Sequence, residues 1–255
     1  NWSDGLPIVP PTEERVAEML AATSRGSQEV VAELPPRWGP ATVEKIAINA
    51  VMAGCLPQYL PLIIAAVEAI VEPQFNLYGI QATTHPCAVL AIVNGPIRQE
   101  LELNSGAGAF GPGWRANATI GRAIRLILMN VGGGLPGRLD KATQGQPSKF
   151  AYCAGENEEE SPWEPLHVER GFPREASTVT VFAAENPHNI NDHSSINARG
   201  ILTIVAGTMA VPGANNAYTG GEMVVALGPE HAHTVAADGW SKQDVRSFLV
   251  EHARR

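Results

Sequence analysis

The sequence has few cysteines, few charged residues and no basic run. Its cysteines, Cys55, Cys87 and Cys153, are widely spaced and form no Cys-x-x-Cys pair. This spacing argues against a disulfide framework or a structural zinc ribbon and favours a reducing compartment. The 18 lysines and arginines are scattered, and the formal net charge is −8. Because neutralising phosphates requires a basic patch, we expect no nucleic-acid partner.

Long apolar runs are absent as well. No run reaches the roughly 18 to 20 residues that a membrane-spanning helix needs. The longest, at 60–71, contains Glu68 and is followed by Glu72 and Pro73, so we interpret it as a buried helix and expect no membrane partner. We find no signal-peptide pattern in the sequence, and we therefore expect a cytoplasmic protein.

The sequence is rich in glycine, proline and apolar residues. Hydrophobic residues make up 44% of the 255 positions, with 25 glycines and 20 prolines. This composition is typical of an enzyme whose site is built from loops. We expect one compact domain over 1–255, or two lobes with a seam near 155–175, where an acidic run precedes a proline-containing loop.

Predicted strands and helices alternate along the chain. Strand patterns occur at 28–34, 77–83, 87–93, 150–154, 178–183 and 223–227. Helix patterns occur at 13–22, 42–54, 57–71, 96–101, 117–131, 197–209, 229–237 and 241–252. This order predicts an α/β or α+β fold, with helices packed on a mixed sheet.

A glycine-rich loop precedes the helix predicted at 117–131. Gly106, Gly108 and Gly111 match the spacing of a dinucleotide fingerprint, but the residues at 112–114 separate the loop from the helix, which weakens the match. No Gly-Lys-Ser/Thr follows, so a P-loop is not indicated either.

The start of that helix can instead hold a small anion. Arg115 lies there beside backbone N–H groups that a helix leaves unpaired. We therefore predict that Gly106, Gly108, Gly111, Arg115 and Asn117 bind a carboxylate or small oxyanion of the substrate. The alternative is that the glycines only form turns and that Arg115 pairs with a core carboxylate.

Two cysteine-containing segments are candidates for thiol chemistry. Cys55 lies at the start of a predicted helix. A helix start lowers the pKa of a thiol and so makes the nucleophilic thiolate more available. His85 and Cys87 are two apart in an extended segment, so they face the same side and the imidazole can act on the thiol. The alternative for Cys55 is that it merely fills the core.

Histidines form a second group of candidates. His188 and His193 lie in a polar loop after a predicted strand, and His231 and His233 lie at a predicted helix start. Together the two segments offer ligands for a divalent metal ion. Without a metal, His188 or His231 can act as a general acid or base, or these side chains form local hydrogen bonds only.

Four stretches carry a resemblance to a known family: 4–12, 48–55, 113–121 and 161–165. They read DGLPIVPPT, INAVMAGC, GWRANATIG and SPWEP. On them the chain resembles a poorly characterised bacterial family whose members occur beside, or fused to, a module with a cysteine- or selenocysteine-Gly-Ser-Cys motif. That motif is absent from this sequence. The resemblance implies a hetero-oligomer in which the partner supplies thiol or selenol chemistry.

These features lead to three hypotheses for the function. The first is an enzyme of the lyase or oxidoreductase class, homo- or hetero-oligomeric, that acts on a small carboxylate- or oxyanion-bearing molecule. Cys55, His85, Cys87, His188 and His231 are its catalytic candidates. The second is a non-catalytic subunit of a thiol- or selenol-dependent complex. The third is a metal-dependent lyase or hydrolase.

Overall fold

A computed structural model describes residues 2–216 and 221–254. The chain divides into two compact units, which are described separately. Unit 1 comprises Asn1–Glu156 and Leu166–Asn186, and unit 2 comprises Asn157–Pro165 and Pro187–Arg255. Unit 1 contains a mixed sheet with helices packed on it, so the predicted α/β class is confirmed.

Unit 1 contains most of the secondary structure. Its helices are α1 (Glu13–Leu20), α2 (Val43–Ala53), α3 (Leu60–Ile70), α4 (Leu77–Gln81), α5 (Ile97–Glu100), α6 (Arg115–Asn130) and α7 (Leu166–Glu169). Its strands are β1 (Val30–Leu34), β2 (Gly39–Thr42), β3 (Ala88–Asn94), β4 (Cys153–Gly155) and β5 (Thr178–Ala184). Three short 3-10 turns, at Pro57–Tyr59, Pro73–Phe75 and Pro147–Lys149, each begin with a proline.

Side-chain caps define where the helices begin. Thr12 and Thr42 accept hydrogen bonds from backbone N–H groups in the first turns of α1 and α2. A hydroxyl at this position satisfies a donor that the helix itself leaves unpaired. Gly54 ends α2 with a φ of 92°, a left-handed conformation in which glycine carries no steric cost.

The larger sheet has the strand order β4-β3-β5. β3 pairs in parallel with β4, with Ala91 opposite Cys153, and antiparallel with β5, with Ala88 opposite Ala184. The amino ends of β3 and β4 and the carboxyl end of β5 therefore lie at the same edge of the sheet. β1 and β2 form a separate antiparallel pair.

The alternation of side chains along β3 separates two hydrophobic clusters. Ala91 and Val93 belong to the main core, which also holds the buried faces of α2, α3 and α6. Leu90 and Ala88 belong to a smaller cluster on the other face, together with Tyr152. Since successive strand residues point to opposite faces, one strand supports both clusters.

The described part of unit 2 is helical. Its helices are α8 (Ala198–Met209), α9 (Pro229–Ala237) and α10 (Lys242–His252). Asn197 caps α8, and Ser241 with Asp244 forms a capping box on α10. Phe248 of α10 lies in a cluster with Leu202 of α8, and its ring contacts that of Trp240 edge to face.

Among residues 2–216 and 221–254, no single helix has the length and apolar character required to cross a bilayer. Pro57–Ile70 and Pro73–Gln81 meet those criteria only when taken together, and they are bent by 74° relative to each other.

Several elements differ from the sequence-based expectations. The strand predicted at 77–83 is wrong, because Leu77–Gln81 forms α4 behind the Asn76 cap. The strand predicted at 223–227 is wrong as well, since these residues carry no strand assignment. β2, with Gly39 and Pro40 in it, was not predicted. The secondary structure of a short apolar run is ambiguous from sequence, because such a run occurs both in buried strands and in buried helical turns.

Candidate functional site

The edge of the larger sheet brings together three residues that are distant in sequence. Cys87 directly precedes β3, Tyr152 directly precedes β4, and Glu185 directly follows β5. The phenol of Tyr152 donates to the carbonyl oxygen of Glu185 at 3.2 Å. His85 Nε2 lies 2.8 Å from Glu185 Oε1. The parallel and antiparallel pairings of β3 produce this convergence.

A small cavity lies at this edge. Its volume is about 20 Å³, and Cys87, Arg125, Ser148, Lys149 and Tyr152 are among its lining residues. That is room for about one water molecule. We call the cavity, the neighbouring carboxylate of Asp140 and the His85–Glu185 pair the Cys87 site.

The cations of the Cys87 site are held by one carboxylate. Lys149 Nζ donates to both oxygens of Asp140 at 2.8 Å, and Arg125 Nη2 donates to Asp140 Oδ2 at 2.9 Å. The Asp140 side chain is 5% exposed. Burial alone would raise the pKa of Asp140, but hydrogen bonds from Lys149 and the Ala142 amide, with the charge of Arg125, hold it below its usual value.

The Cys87 thiol is a neutral group in this environment. Its Sγ donates to the carbonyl oxygen of Ile80 at 3.5 Å. Burial raises the pKa of Cys87, and the positive charge of Lys149 offsets part of that effect. Burial likewise raises the pKa of Tyr152 to about 12, so its phenol keeps its proton at neutral pH.

His85 is oriented by its contact with Glu185. The imidazole is 31% exposed and the Glu185 carboxylate 50% exposed, so the pair lies at the rim of the fold. The His85 backbone N–H donates to Thr83 Oγ1 at 3.0 Å. An imidazole held by a carboxylate has a fixed orientation, as a general base requires.

Cys55 lies in the core beside α6. It is 8% exposed, and its Sγ donates to the carbonyl oxygen of Thr119 at 3.2 Å. Burial raises its pKa to about 12, although the charges of Arg115 and Arg122 act in the opposite direction. The predicted lowering of this pKa by a helix start is therefore wrong, because desolvation of the thiolate is the larger effect.

Two asparagines organise the glycine-rich loop. Asn117 is 3% exposed; its Oδ1 accepts from the Asn104 amide at 2.8 Å, and its Nδ2 donates to the Asn104 carbonyl at 2.9 Å. Asn104 Oδ1 in turn accepts from the Gly106 amide at 2.9 Å. The Gly111 amide donates to the Gly108 carbonyl at 2.7 Å. The amides of Gly106 and Gly111 and both polar atoms of Asn117 thus hold the loop itself.

Arg115 also has a partner within the protein. Its Nε and Nη2 donate to the carbonyl oxygen of Gly54 at 3.1 and 3.0 Å. This contact ties the first residue of α6 to the end of α2. The side chain pairs with a main-chain carbonyl, whereas the two sequence-based alternatives were a bound anion and a core carboxylate.

The four candidate metal ligands all belong to unit 2. His188, His193 and His233 are exposed, and His231 Nε2 lies 3.0 Å from the carbonyl oxygen of Asp192. This contact joins α9 to the polar loop after β5. Among residues 2–216 and 221–254, no three His, Cys, Asp or Glu side chains are grouped to hold a metal ion. The predicted convergence of these histidines on a metal is therefore not seen.

A buried polar cluster at the opposite edge of the sheet was not anticipated. Asn94 ends β3 fully buried, and its Nδ2 donates to Glu156 Oε2 at 2.5 Å. Arg98, 4% exposed, donates to the Glu156 carbonyl at 2.8 Å. His167, 1% exposed, contacts the Arg174 carbonyl at 3.1 Å. One feature of the sequence could have indicated this cluster: Asn94 is a polar residue at the end of an otherwise apolar strand.

Comparison of the chain with protein-family models, with curated proteins and with solved structures gave no match. Polar groups bond to one another at both edges of the sheet, but at the Cys87 site a thiol, two cations and a phenol also line a cavity. We therefore choose the Cys87 site as the candidate active site.

Proposed function

We propose that unit 1 is an enzyme that binds a small carboxylate- or oxyanion-bearing molecule at the Cys87 site and acts on it through the thiol and histidine acid–base chemistry. The observation that carries this proposal is that Cys87, Lys149, Arg125 and Tyr152 meet at one small cavity. With room for about one water molecule, the cavity takes a single oxygen of the substrate rather than the whole molecule. A thiol, fixed cations and a proton donor around one cavity are the groups that such chemistry requires.

The charges of the site support an anionic substrate. Lys149 and Arg125 are cations that line the cavity, and none of its lining residues is a carboxylate. The carboxylates of Asp140 and Glu185 also belong to the Cys87 site, so its two positive and two negative charges balance. In a chain whose formal charge is −8, two partly buried cations at one cavity are the feature that attracts a small anion.

The proposed chemistry begins with proton transfer, because the raised pKa leaves the Cys87 thiol protonated at neutral pH. His85, held by Glu185, accepts the thiol proton. Sγ then forms a bond to the β-carbon of the substrate while the bond from that carbon to its leaving group breaks, and the leaving group takes the proton from His85. The Tyr152 phenol exchanges its hydrogen bond to the Glu185 carbonyl for one to the substrate oxygen on which charge develops. His85 next removes the proton from the α-carbon, the C–S bond breaks as the C=C bond forms, and the proton returns to the thiolate. The substrate thus loses its leaving group and a proton overall, so we favour the lyase class.

A second candidate function is a subunit of a thiol- or selenol-dependent complex. Two observations favour it. Cys55, Cys87 and Cys153 are all buried with raised pKa values, and Phe110 and Trp114 are 48% and 47% exposed. Aromatic side chains of this kind are frequent in protein interfaces. In both versions we propose a cytoplasmic, oligomeric protein.

Anion binding tests the leading proposal through Lys149. We expect malonate or inorganic phosphate to bind wild-type protein, and Lys149→Met to weaken that binding at least about tenfold, because it removes a partly buried charge. Isothermal titration calorimetry measures the dissociation constants. Lys141→Met is the matched control, since Lys141 is exposed and donates to Gly137 O in the same loop region.

The control distinguishes a site from general electrostatics. Each variant removes one positive charge, so a nonspecific attraction would weaken equally in both. We expect less than a twofold change for Lys141→Met. Equal losses in the two variants, or no binding of either anion by the wild type, would count against the proposal.

A further inference from the structure

The residues before α1 form an arm that is fixed to α2 and α6. Arg122 Nε and Nη2 donate to the two carboxylate oxygens of Asp4, each at 2.8 Å, and Nη2 also donates to the Pro7 carbonyl at 2.8 Å. The Val9 amide donates to the Met52 carbonyl at 3.2 Å. The Asp4 side chain is 5% exposed. A bidentate pair of this kind fixes both position and orientation.

The arm forms one side of a second cavity, which is open to solvent. Asn130 Nδ2 donates to the Trp2 carbonyl at 3.0 Å, which places Trp2 beside α6. The cavity has a volume of about 160 Å³ and is lined by Trp2, Ile48, Asn49, Met52 and Asn130. Trp2 is 72% exposed, so it forms the outer wall. A cavity of roughly 150 Å³ is large enough to hold a benzene ring.

The lining chemistry selects the ligand. None of the five lining residues is charged, and Trp2, Ile48 and Met52 provide apolar surface. Asn130 Nδ2 already donates to Trp2 O and to Asn49 Oδ1, and Asn49 Nδ2 donates to Lys45 O. Asn130 Oδ1 accepts no hydrogen bond from the described residues, so the lining offers this acceptor beside the indole N–H of Trp2, which is a donor.

We propose that this cavity binds a small, planar, uncharged molecule of one or two fused rings that carries a hydrogen-bond donor. The ring packs against the indole of Trp2, and the donor bonds to the Asn130 carboxamide. An aromatic ligand is favoured because a stacked or edge-on contact with an indole adds to the gain from burial. The cavity shares no lining residue with the Cys87 site.

The Asp4–Arg122 pair is the positioning element of this cavity. Asp4 lies two residues after Trp2 in the arm, and its partner Arg122 belongs to α6, the helix that also supplies Asn130. When the pair is weakened, Trp2 lies at the cavity in a smaller fraction of the molecules. The apparent affinity for the ligand falls in proportion to that fraction. Asp4→Asn therefore lowers affinity without touching a lining residue.

Indole and phenol are the probes, with benzoate as a charged counter-probe of similar size. We expect indole and phenol to bind, benzoate to bind at least about tenfold more weakly, and Trp2→Ala to lower indole affinity roughly tenfold. Amide chemical-shift titrations report the dissociation constants and also show that each variant is folded. Trp38→Ala is the matched control, because Trp38 is 58% exposed and its ring stacks on that of Tyr78 instead.

The titrations also contain the results that would overturn the proposal. Absence of indole binding, indole binding that Trp2→Ala leaves unchanged, or stronger binding of benzoate than of indole would each do so. A second copy of the chain as the occupant gives a different result. In that case sedimentation shows a dimer that Trp2→Ala dissociates and indole does not shift the amide signals, which also contradicts a small-molecule site.

Discussion

Replacement of Asp140 by alanine is expected to destabilise unit 1 by about 3 kcal/mol, because two cations then remain partly buried without their carboxylate. Lys149 and Arg125 side chains are each only 13% exposed, so water replaces the lost partner incompletely. Urea denaturation measures the loss. Glu29→Ala is the control: Glu29 also pairs with an arginine, Arg25, but its side chain is 45% exposed, and a pair of that kind contributes little.

The same carboxylate makes stability depend on pH. The pKa of Asp140 is lower in the folded protein than its ordinary value, so its contribution is fully present above that value and is lost as pH falls through the folded pKa. Wild-type protein should therefore lose stability in the acid range, and Asp140→Asn should lose less over the same range.

Equal stability of the Asp140→Ala and Glu29→Ala variants would contradict this role of Asp140.

Replacement of Gly121 by alanine is the second change with a large expected effect. A Cβ at Gly121 would lie 2.4 Å from the Tyr152 backbone nitrogen, closer than atoms approach. We expect a loss of about 3 kcal/mol, the upper part of the range for overpacking, since α6 must move away from the start of β4. The higher helix propensity of alanine offsets about 1 kcal/mol at most.

Gly106→Ala is the matched control for this substitution. Its Cβ would meet its nearest atom, Asn104 Oδ1, at 3.7 Å, which is ordinary contact. We expect thermal unfolding to change little in that variant and Tm to fall by several degrees in Gly121→Ala. Because Gly121 also lines the Cys87 cavity, its replacement should weaken anion binding. Unchanged Tm in Gly121→Ala would show that α6 does not pack closely on β4.

The elements with a strong pattern could be predicted from the sequence. The helix pattern at 229–237 corresponds residue for residue to α9, and 178–183 differs from β5 by one residue. Apolar periodicity and proline or polar caps mark these elements locally. β2 gave no such signal, since glycine and proline in a four-residue strand are read as a turn.

The candidate site was only partly predictable, for a physical reason. His85 and Cys87 could be chosen from their local spacing, but Tyr152 and Glu185 reach them through strand pairing. The pairing partners Ala91 with Cys153 and Ala88 with Ala184 are separated by many residues and depend on tertiary packing. No local pattern specifies such a register.

Burial and local hydrogen bonds explain why three residues differ from their sequence-based predictions. The sequence pointed to a lowered pKa at Cys55 from its position between two helices. The structure places the thiol among core residues, where desolvation raises the pKa to about 12. Asn117 and Arg115 were chosen as ligand contacts, and both are found bonded to backbone carbonyls. Polar side chains near glycine loops serve the loop as readily as a ligand.

Alkylation of the cysteines tests the Cys87 site most directly. With iodoacetamide and peptide mass spectrometry on folded protein, we predict that Cys87 reacts faster than Cys55 and Cys153. The charge of Lys149 offsets part of the rise that burial causes in the pKa of Cys87, while burial raises the pKa values of the other two to about 12. We further predict that malonate slows the reaction of Cys87 in wild-type protein but not in Lys149→Met. Equal rates at the three cysteines, or no effect of malonate on Cys87, would contradict a site in which this thiol and Lys149 act on one anion.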